Sequence, residues 1–126
     1  MNRFRIVVMG AIAIILSVAI FNIKVYAIQS SFDYETSYNA AFSNNISNYN
    51  NSSLAVYANT RPTAGINGVK VTIAYTNGEV IKSDIFPYQA SRGDMVGYVK
   101  SGRIARIGVL PVVDGQKVKG TLYYHY

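Results

Sequence analysis

Cysteine and tryptophan are absent from the 126 residues, histidine occurs once and proline three times. Without cysteine there is no disulfide framework, no thiol nucleophile and no cysteine metal site. A single histidine, His125, rules out a multi-histidine metal cluster within one chain. No Gly-X-Ser-X-Gly elbow is present. The glycines at 65 and 68, and at 93 and 97, lack the spacing of either phosphate-binding fingerprint. The oxygen-ligand spacing of a calcium loop is missing as well. The six acids, Asp33, Glu35, Glu79, Asp84, Asp94 and Asp114, form no local cluster of the kind that places two carboxyls across a glycosidic bond. These absences point away from an enzyme, from a cofactor and from a metal. The length allows one small domain.

The sequence instead begins with an export signal. A basic start, Met1 to Arg5, precedes the uncharged run Ile6–Phe21, and the triplet Val25-Tyr26-Ala27 follows. Basic start, apolar stretch and small residue together read as a secretory signal peptide, residues 1–27, cut after Ala27. As a membrane anchor the uncharged run would reach only about 24 Å, short of the ~30 Å hydrocarbon core. In either case the basic start keeps the N-terminus inside, so the remainder faces outward, secreted or extracytoplasmic. Removing Arg3, Arg5 and Lys24 leaves nine basic groups against six acids, so the net charge falls from +6 to +3. That weakens any nucleic-acid reading, which needs a concentrated basic face.

Two compositions follow. Residues 28–60 contain no Lys, Arg, Gly or Pro and are crowded with Asn, Ser and Tyr. Asn and Ser compete for their own backbone, so this part reads as a polar arm with a possible first strand at Leu54–Asn59. Ser43–Ser53 is its expected loop or disordered stretch, and Phe32–Phe42 is open between a short helix, an edge strand and an ordered arm. The sequons at Asn45, Asn50 and Asn51 matter only in a eukaryotic secretory route.

Residues 61–126 read as an antiparallel β core. Val69, Val71, Ile73 and Tyr75 alternate with Lys70, Thr72, Ala74 and Thr76, the period of a half-buried strand. Asn77-Gly78 then predicts a type I′ hairpin to Glu79–Phe86, although Val80 and Ile81 interrupt the alternation of the return strand. Ser101-Gly102 predicts a second hairpin, Met95–Lys100 with Arg103–Leu110, placing Val99 across from Ile104. Asp114-Gly115 predicts a third turn. The last strand, Lys117–Tyr126, puts Val118, Leu122, Tyr124 and Tyr126 on one face and Lys117, Lys119, Thr121, Tyr123 and His125 on the other. Gly120, on the first face, would admit a close neighbour. The sum is an all-β fold: a small antiparallel β-sandwich or partly closed barrel of about six strands.

The remaining signal is a surface. Lys100, Arg103 and Arg106 surround the second turn, and Lys117 and Lys119 flank the third. If these strands are neighbours the five gather into one basic patch with Tyr98 and Tyr123 beside it, suited to an anionic envelope polymer, a lipid headgroup or a surface protein. The expected function is a small secreted, non-enzymatic module that binds or builds at the cell surface. Exposed edge strands would favour a homodimer. The tail Gly120–Tyr126, GTLYYHY, resembles the aromatic ending of some exported β-rich bacteriocins, and that resemblance implies the alternative, a secreted antimicrobial or toxin protein; it covers this tail alone. A small enzyme or an inhibitor acting through Asn44–Ser53 is the third class.

Overall fold

The structure is a computed structural model that describes residues 28–126. The signal peptide expected at residues 1–27 lies outside the described residues. The described residues form nine strands: β1 (Gln29–Thr36), β2 (Ala41–Phe42), β3 (Ile46–Ser47), β4 (Leu54–Thr60), β5 (Val69–Tyr75), β6 (Val80–Phe86), β7 (Met95–Val99), β8 (Ile104–Pro111) and β9 (Val118–His125). The described residues contain no helix. All ladders are antiparallel and fall into two sheets. The front sheet has the order β1-β9-β4-β7; the back sheet has β2-β8-β5-β6, with β3 also on β8. One buried cluster drawn from both sheets lies between them, the arrangement of a β-sandwich.

The alternation in the sequence builds that core. Val69, Val71, Ile73 and Tyr75 of β5 and Val118, Leu122 and Tyr124 of β9 are buried. They meet Val56 and Ala58 of β4, Ala105, Ile107 and Val109 of β8, and Phe86. Strands β4, β5 and β7 thus bury every second residue, and burying one Val, Leu or Ile side chain contributes about 1.5–3 kcal/mol.

The strand count exceeds the six expected because the Asn/Ser/Tyr-rich segment supplies four strands. No helix forms over Phe32–Phe42: β1 pairs along its whole length with β9, from Gln29↔His125 to Thr36↔Val118. The stretch expected as a loop is ordered by its own side chains. Ser43 donates its N–H to Ile107 O (2.9 Å), and its Oγ accepts the Ile107 N–H (2.9 Å), so one residue fills the gap between β2 and β3 along β8.

Of the three expected turns, only the first closes a hairpin. Even there the turn is not type I′. Gly78 has φ +96° but Asn77 is not in the left-handed region. The Gly78 N–H bonds Tyr75 O (2.9 Å) and the Tyr75 N–H bonds Glu79 O (2.8 Å), which defines a three-residue loop, Thr76-Asn77-Gly78. The ladder then shifts between Ile73↔Lys82 and Ala74↔Val80. Ile81 is the extra residue of this bulge, and it packs on the core. The adjacency of Val80 and Ile81 in the sequence is the trace of that bulge.

The second expected hairpin does not exist. β7 lies in the front sheet and β8 in the back sheet. Val99 pairs with Leu54, and Ile104 pairs with Ser47. The Lys100–Arg103 turn (Arg103 N–H to Lys100 O, 3.2 Å) therefore carries the chain from one sheet to the other. Asn48, 1% exposed, occupies the gap. Its N–H bonds Arg103 O (3.0 Å), and its carbonyl accepts the Gly102 N–H (2.8 Å). Its Nδ2 donates to Val99 O and Ser52 O (both 2.8 Å), and its Oδ1 accepts the Asn50 N–H (2.9 Å). One buried asparagine thus supplies the bonds that a hairpin partner would have made. The third turn likewise changes sheets, from β8 to β9, and its Gly115 N–H bonds Ser37 O (2.8 Å).

Asn48→Ala is expected to lower the unfolding free energy by about 3 kcal/mol, because the Val99 carbonyl loses its donor in a buried site. Asn45→Ala, at an exposed neighbour, should change it by no more than about 0.5 kcal/mol. Urea titrations of the two variants test the contrast; equal midpoints would remove Asn48 from its structural role.

Candidate functional site

The outer face of the front sheet gathers the most chemistry. Its layout follows from register. Ser31, Tyr123 and Asn59 lie side by side across β1, β9 and β4, as do Gln29, His125, Tyr57 and Val96 across all four strands. Asp33 lies opposite Thr121, Glu35 opposite Lys119, and Tyr98 opposite Ala55. Because β9 and β4 alternate, Tyr57 and Asn59 of β4 and Lys119, Thr121, Tyr123 and His125 of β9 point away from the core, while Thr60 and Tyr124 face it. Tyr57 and His125 stack with ring centroids 4.8 Å apart and planes 10° apart. Tyr98 and Tyr123, 59% and 61% exposed, flank that pair on β7 and β9.

Two adjoining depressions share Arg61 and Tyr123 as a common wall. The larger, about 670 Å³, is bordered by Asp33, Glu35, Lys119 and Thr121. The smaller, about 350 Å³, is bordered by Asn59, Ser91, Asp94 and His125. The rim of the smaller one is the connection between β6 and β7, which passes from the back sheet to the front. Three side chains fix it. Arg61 Nε donates to Gln89 O (3.2 Å). Asn59 Nδ2 donates to Arg92 O and to Asp94 Oδ1 (both 3.0 Å). Arg92 bonds Ile85 O (3.1 Å), pairs with Asp84 (2.8 Å) and lies 4.6 Å over the Phe86 ring. Gln89, whose N–H bonds Pro62 O (3.0 Å), has φ +52°, the only non-glycine in the left-handed region among the described residues. A backbone held in that region is kept there by its surroundings, and here those are Arg61 and Pro62.

Charges on this face are balanced. Lys117 Nζ lies 2.5 Å from Glu35 Oε1. The Lys117 hydrogen bond, then the charges of Lys117 and Lys119, hold the Glu35 carboxyl below its usual value. Thr121 Oγ1 donates to Asp33 (2.6 Å). Beneath the larger depression the buried Tyr34 hydroxyl bonds Thr60 Oγ1 (2.8 Å), which in turn donates to Thr121 O (2.7 Å). Burial raises the Tyr34 pKa, and the Thr60 bond offsets part of the rise. Gly120 makes this chain possible: a Cβ there would sit 2.5 Å from the Tyr34 hydroxyl. The close neighbour expected at Gly120 is therefore the Tyr34 ring.

The seven residues expected to form one surface are divided by the fold. Tyr98, Lys119 and Tyr123 lie on the front face, with Lys117 beside them at Glu35. Lys100 is exposed on the turn between the sheets. Arg103 lies 3.9 Å over the Tyr75 ring and 3.4 Å from Glu79. Arg106 is on the outer face of the back sheet, 3.8 Å over the Phe42 ring. A single basic patch required β8 and β9 to be neighbours, and they belong to opposite sheets. Sequence reasoning missed Tyr57, Asn59, Arg61 and Asp94. The signal was present in Leu54–Thr60, where Ala55, Tyr57 and Asn59 alternate with the buried Val56 and Ala58. Among the described residues no group of three or more His, Asp or Glu side chains is placed to hold a metal ion. No protein-family model matches the chain, and no curated protein matches it in sequence.

Gly120→Ala is expected to push Tyr34 out of its place and to cost about 1–3 kcal/mol. Added to Tyr34→Phe it should cost less, since the nearest clashing atom, the hydroxyl, is gone and only the ring carbon at 2.8 Å remains, and a double-mutant cycle by urea unfolding reads the coupling. The raised Tyr34 pKa means that folding favours the neutral phenol. Its contribution is complete below the ordinary tyrosine pKa of about 10 and is lost as pH rises through the folded value. Alkaline unfolding should accordingly be less steep in Tyr34→Phe than in the wild type.

Proposed function

We propose that the protein is a small secreted, non-enzymatic β-sandwich module that acts by binding at the cell surface or envelope, with residues 1–27 as a signal peptide removed after Ala27. The observation that carries the binding reading is the front face. Two tyrosine rings are more than half exposed there, on β7 and β9 with β4 between them, beside Asn, Asp and Arg side chains fixed by hydrogen bonds. Exposed rings among convergent polar groups suit recognition. The carboxylates of this face support a non-catalytic role. Asp33 accepts from Thr121, Asp94 accepts from Asn59, and Glu35 pairs with Lys117, so each is engaged by a neighbour on its own side. The paired basic groups and the divided basic residues also disfavour nucleic acid, which takes a concentrated cationic surface. The homodimer expected from edge strands would form along β1, an eight-residue strand at one of the two edges of the front sheet.

The full-length chain, expressed in an exporting bacterium, is expected to be released with Ile28 as its first residue, as read by N-terminal sequencing. Release with residues 1–27 intact would overturn the signal-peptide assignment. The released protein should be retained by whole envelopes at physiological salt. Failure to bind envelopes, purified wall and anionic vesicles alike would overturn the binding reading. Inhibition of related cells by the same preparation would transfer the proposal to the antimicrobial class.

A further inference from the structure

The front face carries its own account of what it takes. Its rings form a diagonal band, from Tyr123 on β9, through the Tyr57–His125 stack, to Tyr98 on β7. Tyr123 lies beside Asn59, and Tyr98 beside Ala55, so the ends of the band are two strands and four residues apart. That is about 10 Å across the sheet and about 13 Å along it. A short oligomer of ring-shaped units reaches this length, and a single small molecule does not. The two depressions on either side of Tyr123 give the band a unit-by-unit relief.

Charge narrows the class. Asp33, Glu35 and Asp94 share the face with Arg61, Lys117 and Lys119. A polyanion laid along the band would meet three carboxylates; Lys117 is paired with Glu35, Lys119 adds its charge to the same carboxylate, and Arg61 Nε is engaged by the Gln89 carbonyl. An extended apolar peptide is also ill suited: Ala55 and Val96 lie among the rings, but Asn59, Thr121, Ser31 and Asp94 border them with polar groups. The chemistry that fits is a ring with apolar C–H faces and a rim of hydroxyls. Its faces lie against aromatic rings, and its rim exchanges hydrogen bonds with carboxamide, carboxylate, hydroxyl and guanidinium groups.

We propose that the outer face of the front sheet binds a neutral glycan chain, with sugar rings stacked on Tyr98 and Tyr123 and hydroxyls bonded by Asn59, Arg61 and Asp94. This inference rests on the binding reading above and names the ligand class of the same face. Arg61 also holds the β6–β7 connection against the sheet through its Nε bond to the Gln89 carbonyl.

The test is a glycan array carrying neutral oligosaccharides of glucose, N-acetylglucosamine, galactose and mannose, with heparin and polyphosphate as anionic arms. The full-length exported protein is applied at low salt and at about 0.5 M salt, where charge–charge attraction is largely screened. Binding to at least one neutral series is expected, unchanged by salt. Tyr98→Ala and Tyr123→Ala should each weaken it by about tenfold or more, the scale of a lost aromatic anchor. Tyr98→Phe and Tyr123→Phe should restore most of it, because the stacking face is kept. Tyr49→Ala removes a ring that is 88% exposed and off this face, and should change nothing. Both target tyrosines are exposed, so circular dichroism and urea midpoints should match the wild type. An empty neutral array overturns the proposal. So does binding confined to the anionic arms and lost in salt, or neutral binding indifferent to both alanine variants. Retention on envelopes with an empty neutral array removes the glycan assignment and keeps the binding module, whereas failure in both assays removes both.

Discussion

Asn48 is the interaction on which the arrangement of the two sheets depends. Six of the eight connections between consecutive strands pass from one sheet to the other, and the sharpest is the turn after β7. A two-residue turn would ordinarily fold its strands into a hairpin. Here the backbone groups at its ends are bonded to Asn48, and β8 pairs in the other sheet instead of with β7. Asparagine suits this place because its carboxamide carries donor and acceptor together and imitates a peptide group. Its burial would be costly if any bond were left unmade. Among the described residues no buried side-chain nitrogen or oxygen lacks a partner. The same logic recurs at Ser43 on β8 and at Thr60 under Tyr34, so the segment richest in Asn, Ser and Tyr supplies the polar joints of an otherwise aliphatic core.

These joints place the candidate site. Because β7 stays in the front sheet, Tyr98 shares a face with Tyr57, Tyr123 and His125. Because β8 leaves, Arg103 and Arg106 are carried elsewhere and settle on Tyr75 and Phe42. A face that composition suggested would be cationic becomes a balanced one with exposed rings. The connection from β6 to β7 completes it, held between Arg92 on the back sheet and Arg61 and Asn59 on the front, with the backbone of Gln89 kept in a conformation that glycine would adopt more readily. The rings come from three separate stretches of chain, β4, β7 and β9, with the carboxamide of Asn59 on the first of them and the guanidinium of Arg61 just after it, and only the sheet order makes them adjacent.

What the sequence determined by itself was local. Period-two alternation assigned β5 and β9 and told their buried faces from their exposed ones, because a strand must turn successive side chains to opposite sides. Asn-Gly marked the one hairpin. Glycine at 120 marked a close approach, since any Cβ there would meet Tyr34. Even the β6 bulge left a trace in the adjacent Val80 and Ile81. What only the tertiary structure decided was pairing. Ser101-Gly102 makes the same tight turn whether the flanking strands join each other or part. The choice was made by Asn48, about fifty residues earlier in the chain and in a stretch whose composition reads as loop. The dispersal of the basic residues follows from that choice, and the meeting of Tyr57 with His125 from the pairing of β4 with β9. Hydrogen bonds between distant residues leave no periodicity in the sequence, so the strands and their faces could be read from it while their neighbours could not.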